Sequence, residues 1–478
     1  MAEVRTAAVV SRQLRLLPLV GVLFFSVSGG PYGLEETISS SGPGMTMVLL
    51  LVVPLVFGLP CALMVAELGS ALPLEGGYYY WCKVALGQGA GVVQGIWNWL
   101  LTFLDTALYP IVFADYMAQW IPGTRRGEHV WFSFFGGAFS ADTHWLVAVA
   151  FMVPLAWLNV RGTRLVGETS VALMVVVLAP FAVLTLYGLV QLLRYPVELF
   201  PTFTLPGQHV GAAFGAGLGV VIWNYIGWES PSTLLGEIDR PQRTYLRALM
   251  LSLPLITLSY VLPMLATLGS GLHRGHETAW EDGDFASVGR LLAGHWLFVL
   301  IVIGAVVSQV GLFSSLLMSG ARVPRVMAAD GYLPDWLAHD HPRYGTPARA
   351  IVVSCVIFAI FCMMDFSALV DADVILNLAC LLMQFVALIV MRRRFPALRR
   401  PYRVPGGAAG PWLLLAGPAV FTVWLSWSTF DEEPAAFWIG LVMLLLGWAS
   451  YPATRRWVKR ERPDADVDLS ALEVTPRG

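Results

Sequence analysis

The sequence predicts an all-α membrane protein of about 12 transmembrane helices, with helices 1 and 6 broken, and three observations carry that prediction. Hydrophobic residues make up 57% of the 478, charged residues only 13%, and the mean hydropathy is +0.67, a balance foreign to soluble domains. Apolar runs able to cross a hydrocarbon layer of ~30 Å recur from Leu16 to Pro452. Lysine and arginine crowd every second loop, as membrane topology demands.

Taken in order, the runs place spans at 16–40, 45–68, 92–116, 143–160, 165–190, 211–237, 246–270, 295–320, 348–364, 370–391, 411–429 and 435–452. The chain then divides into an N-terminal segment (1–15), a ten-helix core built as a five-plus-five inverted repeat (16–391), a basic loop with helices 11 and 12 (392–452), and a polar tail (453–478). With the N-terminus inside, 25 of the 30 Lys and Arg residues fall on the inner side, six of them between Met391 and Val404. The outer loops keep Arg125, Arg126, Arg194, Arg274 and Arg290 and carry acidic clusters such as Glu281, Asp282 and Asp284, or Asp431, Glu432 and Glu433. Both termini are therefore expected in the cytoplasm. Arg5, Arg12 and Arg15 precede an apolar run without a small-residue cleavage site, so the first span is read as retained. The five cysteines, Cys61, Cys82, Cys355, Cys362 and Cys380, lie in or beside apolar segments without CxxC spacing; they read as packing, not as disulfides or a metal site.

Two spans are interrupted at mid-depth. Span 1 contains Ser28-Gly29-Gly30-Pro31-Tyr32-Gly33-Leu34-Glu35, and span 6 contains Asn224-Tyr225-Ile226-Gly227-Trp228-Glu229-Ser230-Pro231. Unpaired backbone groups in hydrocarbon cost several kcal/mol each, so unwound backbone persists only where it lines a cavity or binds something. An offset of five spans between the breaks is what an inverted repeat produces.

Carboxylates inside a membrane cost roughly 2.5 to 3.5 kcal/mol each and ask for a reason. Glu35 and Glu229 sit at the breaks and Asp105 near the centre of span 3, with no Lys or Arg at comparable depth. A cationic ligand or a proton would neutralise them; capping of exposed N–H groups is the plainer role for Glu35 and Glu229. Tyr32, Tyr109, Tyr225 and Trp228 lie near these acids and suit an ammonium group through cation–π attraction. N–H groups of Gly29, Gly30 and Gly33 would form a nest for a substrate carboxylate, if the substrate has one. Acids with a nest fit amino acids; acids alone fit polyamines.

At these residues the chain resembles the amino acid/polyamine/organocation (APC) superfamily, specifically its plant-type polyamine uptake and L-type amino acid transporters, over roughly residues 20–405. The likeness is carried by the span 1 string above, Ala66-Glu67-Leu68, Gly76-Gly77-Tyr78, and Leu104-Asp105-Thr106-Ala107-Leu108-Tyr109-Pro110. It continues in Gly227-Trp228-Glu229, Gly236-Glu237-Ile238 with Pro241, Gly331-Tyr332-Leu333-Pro334 and Arg343-Tyr344-Gly345-Thr346-Pro347. The Asp105 string is the most selective for the polyamine branch. Glu229 departs from the pattern, standing where plant members tend to carry Asp.

The resemblance implies a leucine-transporter-type arrangement, alternating access, and import of a cationic organic amine such as spermidine or putrescine, usually proton-coupled. An amino acid permease or exchanger of the same fold is the alternative, and a non-transporting nutrient sensor a further one. The expected substrate site is Ser28, Gly29, Gly30, Tyr32, Gly33, Glu35, Asp105, Tyr109, Asn224, Tyr225, Gly227, Trp228 and Glu229. Glu35, Asp105 and Glu229 are candidates for ion coupling, with Ser314 and Ser315 if the ion is sodium. No cofactor or metal is expected beyond the driving ion. No HExxH or GxSxG string supports an enzyme, a single midplane site suits occlusion better than a channel, and the basic loops give no support for nucleic-acid binding. The expected setting is a plasma or bacterial inner membrane, as a monomer or homodimer.

Overall fold

A computed structural model describes residues 14–457, apart from 119–120, 135–138, 196–198, 201, 274, 282, 365 and 433. Arg5, Arg12, Arg274 and Asp282, and the tail beyond Trp457, therefore lie outside the described residues. Among the described residues, eight helices are long and apolar enough to cross a membrane, and four shorter apolar helices accompany them, together giving the expected twelve.

Span 1 is Leu16–Val27 followed, after a break, by the short helix Glu36–Ser41. Its first half ends in a Schellman-like turn, with the Ser28 and Gly29 N–H groups donating to the Phe24 carbonyl (2.8 and 3.2 Å), because Gly29 and Gly30 adopt φ of 68° and 111°. Span 2 (Pro43–Ala71) carries a π-helical turn at Pro54–Gly58, where Pro54 lacks a donor. Span 3 is Gln88–Ala118, span 4 Thr143–Arg161 with Asp142 capping it at the Trp145 N–H (2.8 Å), and span 5 Thr163–Arg194. Span 6 is Val210–Trp223, and its second half is not the α-helix expected to 237 but a single 3-10 turn, Ser230–Leu234. Pro231 and the glycines at 227 and 236 deny that stretch a longer helix. Spans 7 to 12 are Pro241–Gly269, His295–Gly320, Ala348–Phe361, Phe366–Arg394, Gly410–Glu432 and Pro434–Trp457.

Span 1 packs against spans 5, 7 and 8; span 8 packs against spans 3 and 5, and span 10 against span 3. Spans 11 and 12 pack on the outside of spans 2, 3 and 10. Small residues permit the closest crossings: a Cβ on Gly188 of span 5 would lie 2.3 Å from that of Ala266 in span 7. The sequence reading missed the connecting helices Tyr78–Leu86, Asp284–Ala293 and Arg322–Ala329, and a two-stranded ribbon pairing Phe132–Phe134 with Phe139–Ala141.

The arginine-rich face is closed by buried and half-buried ion pairs. Glu237, after the span 6 break, accepts from Arg322 (2.9 Å) and from the Thr163 hydroxyl (2.7 Å). Glu67 at the end of span 2 accepts from Arg392 and from the Val404 N–H (2.7 Å). Lys83 meets Asp330 at 2.7 Å, and Arg325 bridges Glu75 (2.9 Å) and Asp340 (2.6 Å). Leu14 pairs with the chain after span 6 through the Glu237 carbonyl and the Asp239 N–H. Arginines expected only to orient the chain therefore also tie span 2 to the end of span 10 and the chain after the span 6 break to the connection after span 8.

In the connection after span 2, burial pushes the Glu75 carboxyl up to about 7 against the pull of Arg325. A raised carboxyl favours its neutral form in the fold, so its contribution is complete below the ordinary 4.5 and is lost as pH rises through about 7. The thermal midpoint of the detergent-solubilised protein is expected to fall across that window. The fall should be smaller in Glu75→Gln, which is neutral throughout; an equal fall would assign the pH dependence elsewhere.

Candidate functional site

The two breaks meet beside spans 3, 8 and 10 and enclose a cavity of about 190 Å³. A single water needs only ~10–15 Å³ by a comparable measure, so the space is sized for a solute.

The breaks approach each other at Gly227, whose φ is 97° and whose added Cβ would lie 2.0 Å from the Ser26 carbonyl oxygen. Freed carbonyls at the span 6 break are satisfied from span 7: the Tyr260 hydroxyl donates to Asn224 (2.9 Å) and the Tyr245 hydroxyl to Trp228 (3.3 Å). At the span 1 break, the Ser308 hydroxyl donates to the Gly29 carbonyl, and the Gly30 N–H donates to the Ser28 hydroxyl (3.0 Å). The expected anion nest is thus partly consumed. The Gly29 and Gly30 N–H groups already have acceptors within span 1.

Of the residues expected at the site, Ser28, Gly29, Gly30, Tyr32, Gly33 and Glu35 line the cavity from span 1. Asp105 and Tyr109 line it from span 3, and Asn224 and Gly227 from span 6. Span 3 presents Asn98, Thr102, Asp105, Tyr109, Val112 and Tyr116, one stripe at three- and four-residue spacing. Along it the Tyr109 hydroxyl donates to Asp105 Oδ1 at 2.7 Å. Tyr32 donates to the Ile301 carbonyl (3.0 Å) and packs edge-on against Phe181. Glu35 has a second engagement: Oε1 accepts from the N–H groups of Gly283 (2.9 Å) and Phe285 (3.4 Å), at the start of the helix Asp284–Ala293.

Tyr225, Trp228 and Glu229 are not in the lining. All three are buried behind it, and neither Glu229 carboxylate oxygen has a hydrogen-bond partner from another of the described residues. Glu229 lies within electrostatic reach of Asp105, Asp373 and Tyr78, which line the cavity, and of Tyr245 of span 7. Ser314 and Ser315 also lie off the cavity, engaged with Asn159 (3.0 Å) and Ser170 (3.4 Å) where span 8 packs on spans 4 and 5.

Sequence reasoning missed Asp373 and Asn377 in span 10, one helical turn apart and both in the lining. The available signal was a polar stripe, Asp373, Asn377 and Gln384, along an otherwise apolar helix. Among the described residues no Lys or Arg lines the cavity, whereas three carboxylates do: Glu35, Asp105 and Asp373.

Comparison with known proteins agrees with this architecture. A family model described as amino acid permease matches residues 20–447. The chain is similar to a polyamine transporter of Oryza sativa subsp. japonica, 35% identical over 94% of this chain and 80% of that protein. It is similar to a probable polyamine transporter of Arabidopsis thaliana, 34% identical over 92% of this chain and 87% of that protein. More distantly it resembles the Asc-type amino acid transporter 1 of Mus musculus, 26% identical over 80% of this chain and 69% of that protein.

Proposed function

We propose, from the premise that the chain belongs to the amino acid permease family, that it is a secondary active carrier importing linear organic amines of the polyamine class. One observation carries the choice of substrate: among the described residues the cavity offers carboxylates from spans 1, 3 and 10 and no cationic side chain. A protonated amine is the complement of such a site, and tyrosine faces beside the acids add cation–π attraction. An α-amino acid would bring a carboxylate toward these acids, with two of the three expected nest amides already engaged. The alternative, an amino acid permease or exchanger, draws on the Asc-type relative and the glycine-rich turn of span 1.

Transport would proceed by alternating access, spans 1, 2, 6 and 7 rocking against spans 3, 4, 5, 8, 9 and 10. Opening toward the basic face requires releasing Glu67 from Arg392 and Glu237 from Arg322. Protons are the favoured driving ion, with Glu229 the carrier: a buried carboxyl without partners is neutral in one state and ionised in another. Sodium coupling through Ser314 and Ser315 has less support, since both hydroxyls are engaged between helices. The basic loops support a cytoplasmic location for both termini, in a plasma or bacterial inner membrane.

Labelled spermidine uptake into proteoliposomes under an inward proton gradient tests the reading, with arginine, leucine and unlabelled putrescine as competitors. Gradient-driven uptake that putrescine blocks and leucine does not is the expected result. Leucine or arginine flux without spermidine flux would replace it with the amino acid reading.

A further inference from the structure

The proposed function leaves unassigned the carboxylate that span 10 contributes. Asp373 is 2% exposed and lines the cavity, and its Oδ1 has no hydrogen-bond partner among the described residues. Asn377, one turn further on, also lines the cavity, its Oδ1 likewise without a partner among the described residues. By contrast Asp105, on span 3, has Oδ1 held by Tyr109, and Glu35 is engaged by two backbone N–H groups. A buried carboxylate oxygen without a partner, on a residue that lines a cavity, carries a desolvation cost that a ligand cation reaching it would relieve.

A ligand with one ammonium group can pair with Asp105 or with Asp373. A linear ligand with two ammonium groups joined by methylenes would offer a charge to each, with Leu101, Leu108 and Val112 of span 3 in the same lining to cover its chain. We propose that Asp373 is a specificity-determining residue that binds the second ammonium group of the substrate, with Asp105 binding the first, so that the site selects diamines and polyamines over monoamines. The inference rests on the amine reading above and goes beyond it by naming the residue that counts charges.

The test compares putrescine with butylamine, which has the same carbon chain and a single amine, as substrates of the full-length protein in proteoliposomes. Wild type should favour putrescine in kcat/KM by about a hundredfold or more, and Asp373→Asn should reduce that ratio about tenfold, chiefly through KM for putrescine. Asp373→Glu should restore most of the preference, which a merely structural role would not predict. Should Asp373→Asn fail to fold, ligand-induced thermal shifts of the wild-type protein decide the matter: putrescine should stabilise far more than butylamine, and equal shifts overturn the inference. Amine uptake by wild type with an unchanged ratio in Asp373→Asn overturns the inference alone. Uptake of neither amine overturns the amine reading and this inference with it.

Discussion

Gly227→Ala is expected to reduce uptake more than a hundredfold, with little or no correctly folded protein recovered. Two costs combine. A φ of 97° is strained for any residue with a Cβ, at about 1–3 kcal/mol, and the new methyl would sit 2.0 Å from the Ser26 carbonyl oxygen, backbone that has no rotamer to yield. The two breaks would have to part by about 1 Å or more to reach ordinary contact, and the cavity between them would lose its shape. Gly87→Ala separates the contributions: its φ is 103°, but nothing lies within 4 Å of the added carbon. It should cost only the strain, with uptake largely kept. Similar losses in the two variants would mean that close approach of spans 1 and 6 is not what Gly227 provides. Quantifying folded protein by size exclusion beside the uptake assay keeps stability and transport apart.

The second large effect is expected of Asp105→Asn. Asparagine keeps the size of the side chain and can still accept from the Tyr109 hydroxyl, so the 2.7 Å contact should survive while the charge is lost. Amine uptake should fall about a hundredfold in kcat/KM, equivalent to roughly 2.7 kcal/mol, the size of a buried hydrogen bond to a charged group. Tyr109→Phe, which removes the donor and leaves the carboxylate, should cost about 1 kcal/mol, or some fivefold. If Asp105→Asn transports at the wild-type rate, the span 3 carboxylate is not where the substrate binds.

The transmembrane frame was legible because hydropathy and charge bias are properties of whole segments. The breaks were legible because Gly29, Gly30 and Gly227 mark backbone that no other residue adopts easily. Within regular helix, single residues could be placed: Asp105 and Tyr109 face the cavity because one turn separates them. Facing failed where no period exists. Tyr225, Trp228 and Glu229 lie on unwound backbone, and its torsions turn them behind the wall while Asn224 and Gly227 reach the cavity. Ser314 falls on the side of span 8 opposite the stripe of Ala305, Ser308, Gln309, Leu312 and Leu316, and Ser315 at the edge of that stripe, turned to Ser170 of span 5, distinctions that need one lining residue known beforehand. Asp373 was passed over because an acid near the start of a span reads as the polar edge of the helix. The ion pairs of the basic face were invisible for another reason: Arg322 and Arg392 meet Glu237 and Glu67 across 85 and 325 residues of sequence. Composition reports such charges only as a topological bias.

Where the amine binds is tested most directly by a cryo-electron microscopy structure of the protein saturated with spermidine. Elongated density inside the cavity, with ends within hydrogen-bond reach of Asp105 and Asp373 and its middle against the span 3 stripe, is the predicted result. Density confined to the turn at Gly29 and Gly30, or spermidine bound only outside the cavity, would contradict it.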